Sequence, residues 1–525
     1  MKIPLKKNPP EKKAILEKPI QQKPIQKTPV KDMPVKKKPV KKKLAKKNPI
    51  RKKSVKKKLA RKEKSIAFFD LDRTLVDGFS VLFFMARRYL SSNPGLAERL
   101  KQASSVVRLA AGKTDFAAAL AELALGLRGV SHNEMQALAE QVFKNDLIGR
   151  IYPEARVLIQ QHRARGETVV IISSATQFQV EFVAAELGIE HVFCTELAVS
   201  SGKLTGMLAG PPCYGTGKLH RAREFAELHG VPLSACTFYT DGIEDLPLLE
   251  AVGQPRPVNP DNRLAAVAAE QGWPVQHFQP RGLPGWRDMA RTGLVYGSLL
   301  PAFLLASPVG LLTQSKRSVS NLGISMWGKF GSAAAGLDLQ LKGEENLWSH
   351  RPCVFVFNHQ SAVDALIMAH LLKRDFTGLA KRELQANPLL GPALKLIDVV
   401  YIDRQVKGSA AIQPAVDKLH AGISIAVAPE GHRSTGYRLG PFRKGAFVIA
   451  MQAGVPVIPI VIANAADALP RSATCIRPAK VAVTVLKPIS TRTWDAENLD
   501  SKISACRKQF LQTLGQYPEQ PATER

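Results

Sequence analysis

The chain has 525 residues, too many for one compact core, so its length predicts two or three domains. Its formal net charge is +30 at pH 7, but residues 1–64 alone hold 26 Lys and Arg against 4 Asp and Glu. The other 461 residues carry only about +8, which argues against nucleic-acid binding as the main function and suits work near anionic lipid. Six scattered cysteines without a C-x-x-C pair predict reduced thiols in a cytoplasmic compartment and no cysteine metal cage.

Residues 1–64 are a low-complexity Lys/Pro-rich segment. Proline recurs every five residues from Pro19 to Pro39, which blocks a continuous helix, and the like charges repel one another. The pattern predicts a disordered tail. The tail has no aromatic residue to stack on bases, so a tether to anionic lipid or to an acidic partner fits as well as nucleic acid, and plain solvated disorder remains open.

Residues 65–285 alternate strand-like and helical segments. Ile66–Phe69, Val169–Ile172 and Cys236–Thr240 are apolar and strand-like, whereas residues of about 79–165 have a helical composition. This alternation predicts a Rossmann-like α/β domain, in which a helical cap is inserted into a parallel sheet.

A long uncharged segment follows. Thr292–Thr313 contains 22 residues without a charge, which reaches the length that spans a bilayer, although Pro301 and Pro308 interrupt it. Residues 286–345 are therefore interpreted as a hydrophobic membrane-associating linker. A kinked span, a re-entrant hairpin, an interfacial helix and a buried core helix all remain open.

Residues 346–500 show a second α/β rhythm, and residues 501–525 are interpreted as a C-terminal tail. The strand-like segments of this part are Cys353–Phe357, Val399–Ile402, Ile423–Ala428, Val455–Ala463 and Val481–Leu486.

Four motifs of the first α/β region lie at or near the ends of its strands. They are Asp70 and Asp72 in FFDLDRT, Ser173 (with Ser174 as the alternative) in VVIISSAT, Lys218 in GTGKLH, and Asp241 and Asp245 in DGIED. Each motif alone is common in surface loops. Together they bring carboxylates, a hydroxyl and a cation to the edge of an open α/β sheet where ligands bind.

These motifs and the helical insertion between the first two resemble the haloacid dehalogenase superfamily, in the subgroup that includes phosphoserine phosphatase. The resemblance implies that Asp70 attacks phosphorus and forms an aspartyl phosphate, while Asp72 acts as acid and base. It also implies that Ser173 or Ser174 and Lys218 bind the phosphoryl oxygens. A Mg²⁺ site would involve Asp70 and Asp241, together with Asp72 and Asp245.

The second α/β region contains His359 and Asp364, five residues apart in NHQSAVD. On a regular helix that spacing leaves the two side chains about 140° apart, so both cannot face one site from mid-helix. We therefore expect His359 to precede a helix whose N-cap is Ser361. Further polar motifs follow at Lys381 in AKRELQANPLLG and at Glu430, Gly431 and Arg433 in APEGHRS.

The order and spacing of these motifs resemble the glycerolipid acyltransferase family over about 350–490. The resemblance implies that His359 removes a proton from a glycerol hydroxyl, which attacks the thioester of acyl-CoA or acyl carrier protein, and that Asp364 orients the imidazole. Arg433 and Lys381 would bind the acceptor phosphate. Glu430 and Gly431 would shape the substrate-binding loop.

The two resemblances together predict a bifunctional phospholipid-biosynthesis enzyme at the cytoplasmic face of the cell membrane. It would acylate 1-acylglycerol-3-phosphate (lysophosphatidic acid) to phosphatidic acid and would hydrolyse a phosphomonoester with Mg²⁺. Two alternatives remain: the phosphatase-like half is only a regulatory or docking module, or it acts on phosphoserine.

Overall fold

The computed structural model describes residues 65–91, 116–386, 391–402 and 411–516. The tail expected over residues 1–64 lies outside the described residues, as do parts of the expected cap and the last residues of the expected C-terminal tail. The described part is mixed α/β and contains two main sheets, one in each half of the chain.

The first half contains a five-stranded sheet and a two-stranded hairpin. Its strands are β1 (Ile66–Phe69), β2 (Thr168–Thr176), β3 (His191–Thr195), β4 (Leu197–Ser200), β5 (Lys203–Leu208), β6 (Thr237–Thr240) and β7 (Gln254–Pro257). The main sheet has the order β3-β2-β1-β6-β7, and every neighbouring pair is parallel. The parallel α/β fold expected for this half is confirmed.

The helices of the first half fall into a cap and the layers that cover the sheet. They are α1 (Ser80–Ser91), α2 (Phe116–Leu125), α3 (His132–Val142), α4 (Pro153–Ala164), α5 (Gln177–Leu187), α6 (Thr216–Leu228), α7 (Leu246–Ala251) and α8 (Asn262–Glu270). The β4–β5 hairpin packs against α2. Part of the cap therefore comes from residues beyond the range of about 79–165 expected from composition.

The central strand β1 is buried on both faces, which explains its unbroken apolar sequence. Successive side chains of a strand point to opposite faces. Phe68 accordingly packs with Phe238 and Phe225 on one face, whereas Phe69 packs with Tyr239 and with the cap on the other.

The second half contains a seven-stranded sheet. Its strands are β8 (Leu337–Lys342), β9 (Val354–Phe357), β10 (Phe376–Lys381), β11 (Val400–Ile402), β12 (Ser424–Val427), β13 (Val457–Ala463) and β14 (Ala479–Val485). Their order is β11-β10-β12-β9-β13-β14-β8, and only the β13–β14 pair is antiparallel.

Helices cover this second sheet on both faces. They are α9 (Trp286–Gly297), α10 (Leu299–Thr313), α11 (Lys316–Ala334), α12 (Asn346–Ser349), α13 (Asp364–Leu372), α14 (Gly391–Leu396), α15 (Gln413–His420), α16 (Gly445–Gln452), α17 (Ala465–Ala468) and α18 (Leu499–Leu514). Two apolar clusters, one centred on Phe355 and the other on Val354 and Val356, form the core on the two faces.

Two elements cross the boundaries expected for this half. The edge strand β8 lies in the segment 286–345 that was interpreted as a linker, and its alternating sequence LDLQLK matches its alternating burial. Helix α18 runs into the expected tail 501–525 and buries Cys506 and Phe510 in the core. The second domain thus uses sequence on both sides of residues 346–500.

The uncharged segment folds as two consecutive helices, α9 and α10. By length and composition alone, the helical stretch Trp286–Thr313 could cross a membrane, and 22% of its most apolar window is buried. Helix α10 buries Ala302, Phe303 and Ala306, while Leu304 and Leu311 are 63% and 84% exposed. This exposed apolar face does not fit the interpretation as a buried core helix.

Candidate active sites

The first candidate site lies where β1 and β6 end. Asp70 directly follows β1 and Asp241 directly follows β6, and these two strands are neighbours in the sheet. Lys218 lies in the first turn of α6 and Asp245 lies just before α7. The four side chains are buried, with exposed fractions of 7% or less.

Lys218 is held between two carboxylates. Its Nζ lies 2.9 Å from Asp70 Oδ1 and donates a 2.7 Å hydrogen bond to Asp245 Oδ2, which also accepts a bond from the Thr240 hydroxyl. Burial acts to lower the pKa of Lys218, but the charges of Asp245 and Asp70 outweigh it and leave the pKa above its usual value. The ammonium therefore stays charged and is aimed at Asp70.

Asp72 is fixed by the first turn of the cap. Its Oδ1 accepts a 2.8 Å hydrogen bond from the backbone N–H of Ser80, the first residue of α1. Burial, reinforced by the charge of Asp70, raises the pKa of Asp72 to about 7 even though the Ser80 bonds oppose the shift. A carboxyl group with such a pKa can both donate and accept a proton near neutral pH.

Asp70 and Asp241 can serve as oxygen ligands for a cation. Burial and then the charge of Asp70 raise the pKa of Asp241 well above its usual value, so two buried carboxylates repel one another at this edge. Arg73 offsets part of that repulsion through an ion pair of 3.0 Å with Asp241. Within the described residues, no group of three or more His, Cys, Asp or Glu is gathered for a metal. Two carboxylates supplemented by water and substrate oxygens are nevertheless a usual donor set for Mg²⁺.

The two candidate serines differ in exposure. Ser173 is 1% exposed and its hydroxyl accepts a hydrogen bond from the Ala175 N–H, whereas Ser174 is half-buried. Both lie near the end of β2, beside the point where its register with β3 shifts. Burial does not decide which of the two hydroxyls meets a phosphoryl group, and the alternative stays open.

The second candidate site is built on a His–Asp contact. His359 follows β9, and its Nδ1 lies 2.8 Å from Oδ2 of Asp364, the first residue of α13. Asp364 is fully buried, whereas the His359 side chain is 31% exposed. A loop position for His359 thus resolves the helical-spacing problem, as expected, and leaves the imidazole accessible to a substrate.

The expected N-cap role of Ser361 is wrong. The helix begins at Asp364, and the Asp364 Oδ2 atom accepts the backbone N–H groups of Gln360 and Ser361 at 2.8 and 2.9 Å. The Ser361 hydroxyl donates instead to the carbonyl of Leu469. The Asp364 carboxylate accepts the backbone N–H groups of this turn in place of the Ser361 hydroxyl, because an ionised acceptor forms stronger hydrogen bonds than a hydroxyl does.

Glu430 supports the backbone of His359. Its Oε1 accepts the His359 N–H at 2.8 Å and its Oε2 accepts the Gly440 N–H at 2.9 Å. The side chain is only 3% exposed, and burial raises its pKa although these two backbone bonds oppose the shift. Gly431 follows with φ of +74°, a conformation that favours glycine, and a Cβ there would lie 3.0 Å from the Arg443 side chain.

Arg433 lies beside a second arginine that the sequence motifs did not single out. The two residues exchange hydrogen bonds, from Arg433 Nη2 to the Arg471 carbonyl at 3.2 Å and from Arg471 Nη1 to the Arg433 carbonyl at 3.1 Å. Burial and then the charge of Arg471 lower the pKa of Arg433. Two adjacent guanidinium groups favour an anion. Lys381 is the last residue of β10, and its side chain lies outside the described part of the chain.

Family models match both halves of the chain. The model described as haloacid dehalogenase-like hydrolase matches residues 67–250, and the model described as acyltransferase matches residues 338–463. Each match contains the candidate residues that the sequence motifs singled out in its half, whereas Arg471 lies beyond the second match.

Individual relatives divide in the same way. A phosphoserine phosphatase of Mycobacterium tuberculosis is 33% identical over 217 residues, which is 41% of this chain and 70% of that protein. A histidinol-phosphatase of Neisseria meningitidis is 32% identical over 221 residues, covering 41% of this chain and all of that protein. A 1-acyl-sn-glycerol-3-phosphate acyltransferase of Saccharomyces cerevisiae is 31% identical over 197 residues, or 36% of this chain and 63% of that protein.

Proposed function

The chain belongs to the haloacid dehalogenase-like hydrolases and joins this phosphatase domain to an acyltransferase domain. From this premise we propose that its acyltransferase domain makes phosphatidic acid from 1-acylglycerol-3-phosphate, and that its phosphatase domain hydrolyses a phosphomonoester through an aspartyl phosphate. The observation that carries the proposal is that each domain assembles its own catalytic pair, Asp70 with Lys218 and His359 with Asp364.

In the proposed acyl transfer, the free imidazole nitrogen of His359 takes the proton of the glycerol hydroxyl. The oxygen attacks the carbonyl carbon of an acyl thioester, the C–S bond breaks, and the thiol leaves with the proton returned by His359. Asp364 holds the Nδ1–H tautomer and stabilises the imidazolium that forms. Arg433 and Arg471 offer guanidinium groups to the acceptor phosphate. The thioester donor is acyl-CoA or acyl carrier protein.

In the proposed hydrolysis, a carboxylate oxygen of Asp70 attacks phosphorus and the ester P–O bond breaks. Asp72 gives its proton to the departing alcohol, then takes a proton from water, which releases inorganic phosphate and restores Asp70. Lys218 neutralises the phosphoryl oxygens, and Asp245 holds the ammonium in place. We assign Asp72 an acid–base role because its pKa of about 7 suits proton transfer, and Asp245 a positioning role because it accepts hydrogen bonds from both Lys218 and Thr240.

Haloacid dehalogenase-like phosphatases generally use Mg²⁺, and the proposed ligands here are Asp70 and Asp241. When bound, the ion would neutralise charge on the phosphoryl group. Asp241 would then bind the ion while keeping its ion pair with Arg73.

We also propose that α10 docks on a membrane surface through its exposed leucines. Leu304 and Leu311 face away from the core, and an acyltransferase that uses a lipid acceptor needs access to the bilayer. The variant Leu304→Asp/Leu311→Asp should lose flotation with phosphatidylglycerol-containing vesicles, whereas Leu228→Asp, at an 82% exposed position of the phosphatase domain, should keep it. Equal flotation of both variants would reject docking through α10.

Two classes of phosphate ester are candidate substrates of the phosphatase domain: small soluble esters and lipid phosphates. The relatives include phosphatases named for phosphoserine and for histidinol phosphate, which are small soluble esters, while the attached domain favours a lipid phosphate. Assays of phosphoserine, histidinol phosphate and phosphatidic acid with Mg²⁺ distinguish these sources. Loss of hydrolysis in Asp70→Asn shows that the activity belongs to this site, and no hydrolysis by the wild type would favour a regulatory module.

The deciding experiment supplies labelled lysophosphatidic acid, acyl-CoA and Mg²⁺ to membranes containing the full chain. Phosphatidic acid should form with the wild type and with Asp70→Asn, but not with His359→Ala. Diacylglycerol that disappears in Asp70→Asn would join the two activities in sequence. Phosphatidic acid formed equally by His359→Ala would refute the proposed acyltransferase site.

A further inference from the structure

The phosphatase domain inserts a buried arginine into the acyltransferase domain. Arg156, on α4, is 8% exposed and forms an ion pair with Asp467 of α17, which is 5% exposed. Its guanidinium also stacks 3.5 Å from the ring centre of Tyr437. The Tyr437 hydroxyl donates a 2.7 Å hydrogen bond to the same Asp467 oxygen that Arg156 contacts.

A second arginine of the N-terminal half reaches the same place. Arg281 donates from Nη2 to the Asp467 backbone carbonyl at 3.0 Å, and its own N–H donates to Asp77 of the phosphatase domain. Glu186, at the end of α5, accepts the Tyr437 N–H. The N-terminal half therefore holds Tyr437 and Asp467 from several directions.

Tyr437 and the segment that follows Asp467 contact the turn formed by Gln360 and Ser361, which lies between His359 and Asp364; we call it the catalytic turn. The Tyr437 carbonyl accepts a 3.1 Å hydrogen bond from the Gln360 side chain. Two residues after Asp467, the Leu469 carbonyl accepts a 2.8 Å bond from the Ser361 hydroxyl. Gln360 and Ser361 are the two residues whose backbone N–H groups hold the Asp364 carboxylate against His359.

We infer that Arg156 is a positioning residue for acyl transfer: a side chain of the phosphatase domain holds the turn that sets the His359–Asp364 geometry of the other domain. This inference rests on the proposed acyltransferase reaction. Arg156 itself contacts neither catalytic residue. It acts by fixing Tyr437, whose carbonyl bonds to Gln360, and Asp467, which lies two residues before the Leu469 carbonyl that bonds to Ser361.

The buried charges make this contact sensitive to substitution. Without Arg156, the Asp467 carboxylate would be buried beside the Tyr437 hydroxyl and without its cation, so the segment must move toward water or rearrange. A shift of about 1 Å in a catalytic group can cost about a hundredfold in rate. The proposed acceptor-binding residues Arg433 and Arg471 bond to each other and not to Arg156, so we expect acceptor binding to change less than the rate.

The test uses the full chain with Arg156→Met, Arg156→Lys and, as matched control, Arg163→Met. Arg163 is on the same helix but bonds to Gly188 within the phosphatase domain. Arg156→Met should lower kcat of lysophosphatidic acid acylation about ten- to a hundredfold with KM nearly unchanged. Arg156→Lys should recover part of kcat, and Arg163→Met should match the wild type. Hydrolysis of p-nitrophenyl phosphate with Mg²⁺ should be equal in all three variants.

Acylation by Arg156→Met at the wild-type rate would overturn the inference while leaving the proposed reaction intact. A wild type that hydrolyses the phosphate ester but does not acylate would overturn the proposed reaction first. If Arg156→Met lost both activities, the double variant Arg156→Met/Asp467→Asn removes the unpaired charge. Recovery of hydrolysis alone would then support the positioning role, whereas recovery of both activities would contradict it.

Discussion

Replacing Asp364 with Asn isolates the contribution of its charge to acyl transfer. Two backbone N–H groups and the His359 ring converge on Oδ2, so the amide oxygen of Asn must take that position to keep the three bonds. The amide nitrogen then takes the place of Oδ1, a buried atom without a hydrogen-bond donor. The substitution therefore keeps the geometry of the turn and removes the negative charge.

The size of the effect follows from the geometry. Two unit charges about 4 Å apart interact by about 4 kcal/mol at an effective dielectric constant of about 20. The imidazole is 31% exposed, so we halve this value to about 2 kcal/mol for solvent screening. Because the imidazolium forms only during reaction, that loss corresponds to about a thirtyfold lower kcat with little change in KM.

Steady-state kinetics with lysophosphatidic acid and acyl-CoA measure this effect, and Asp338→Asn on the exposed face of β8 is the matched control. The control should retain wild-type kcat. A loss below about threefold in Asp364→Asn would mean that no imidazolium forms beside this carboxylate, and would refute the general-base role of His359. A raised KM with unchanged kcat would place Asp364 in ground-state binding instead.

Three further predictions concern the rest of the molecule. Lys218→Met should lower phosphatase kcat by about a hundred- to a thousandfold, because it removes the buried cation between two carboxylates. The control Lys203→Met, at an exposed position, should keep the wild-type kcat. Acyl transfer measured on the same preparation shows whether the variant is folded. Gly328→Ala should lower the free energy of unfolding by about 1–3 kcal/mol in urea, since its Cβ would lie 2.5 Å from the backbone of α13, whereas Gly293→Ala meets nothing within 4 Å and should not. Burial lowers the pKa of His162, so the unfolded chain binds a proton below about pH 6.5 that the folded chain resists, and stability should fall as the pH drops below that value. His162→Gln should lessen this fall between pH 7 and 5.5, and an unchanged pH dependence would contradict the assignment.

Sequence patterns predicted the parts of the fold that depend on local periodicity. The apolar strands β1, β9 and β13 were predicted because buried parallel strands have continuous apolar sequences, and the candidate motifs follow the first two of them. The edge strand β8 was missed, since six alternating residues inside a long helical segment give a weak signal. Helix α18 was missed for a similar reason, because its Lys- and Gln-rich sequence conceals the buried Phe510.

Residues of the candidate sites could be predicted where a local sequence pattern marks them, but not where only the tertiary fold brings them together. Asp70 and His359 each follow an apolar strand, so the sequence alone makes them candidates. The partners Ser80, Thr240 and Arg471 carry no such signal, because single hydroxyls and single arginines are common in loops. They become part of a site only when the sheet brings distant strand ends together.

The contact between the two domains was outside the reach of sequence patterns for a different physical reason. Arg156 occupies a helix position where an arginine is ordinarily solvated, and Asp467 begins no recognisable motif. A buried ion pair is costly to desolvate and gives little net stability, but removal of one partner leaves a buried charge that is strongly penalised. If Arg156 positions the turn at Gln360 and Ser361 as we infer, then the geometry of that turn depends on docking of the phosphatase domain. Fusion of the two enzymes in one chain then has a structural consequence that holds whichever phosphate ester the first site hydrolyses.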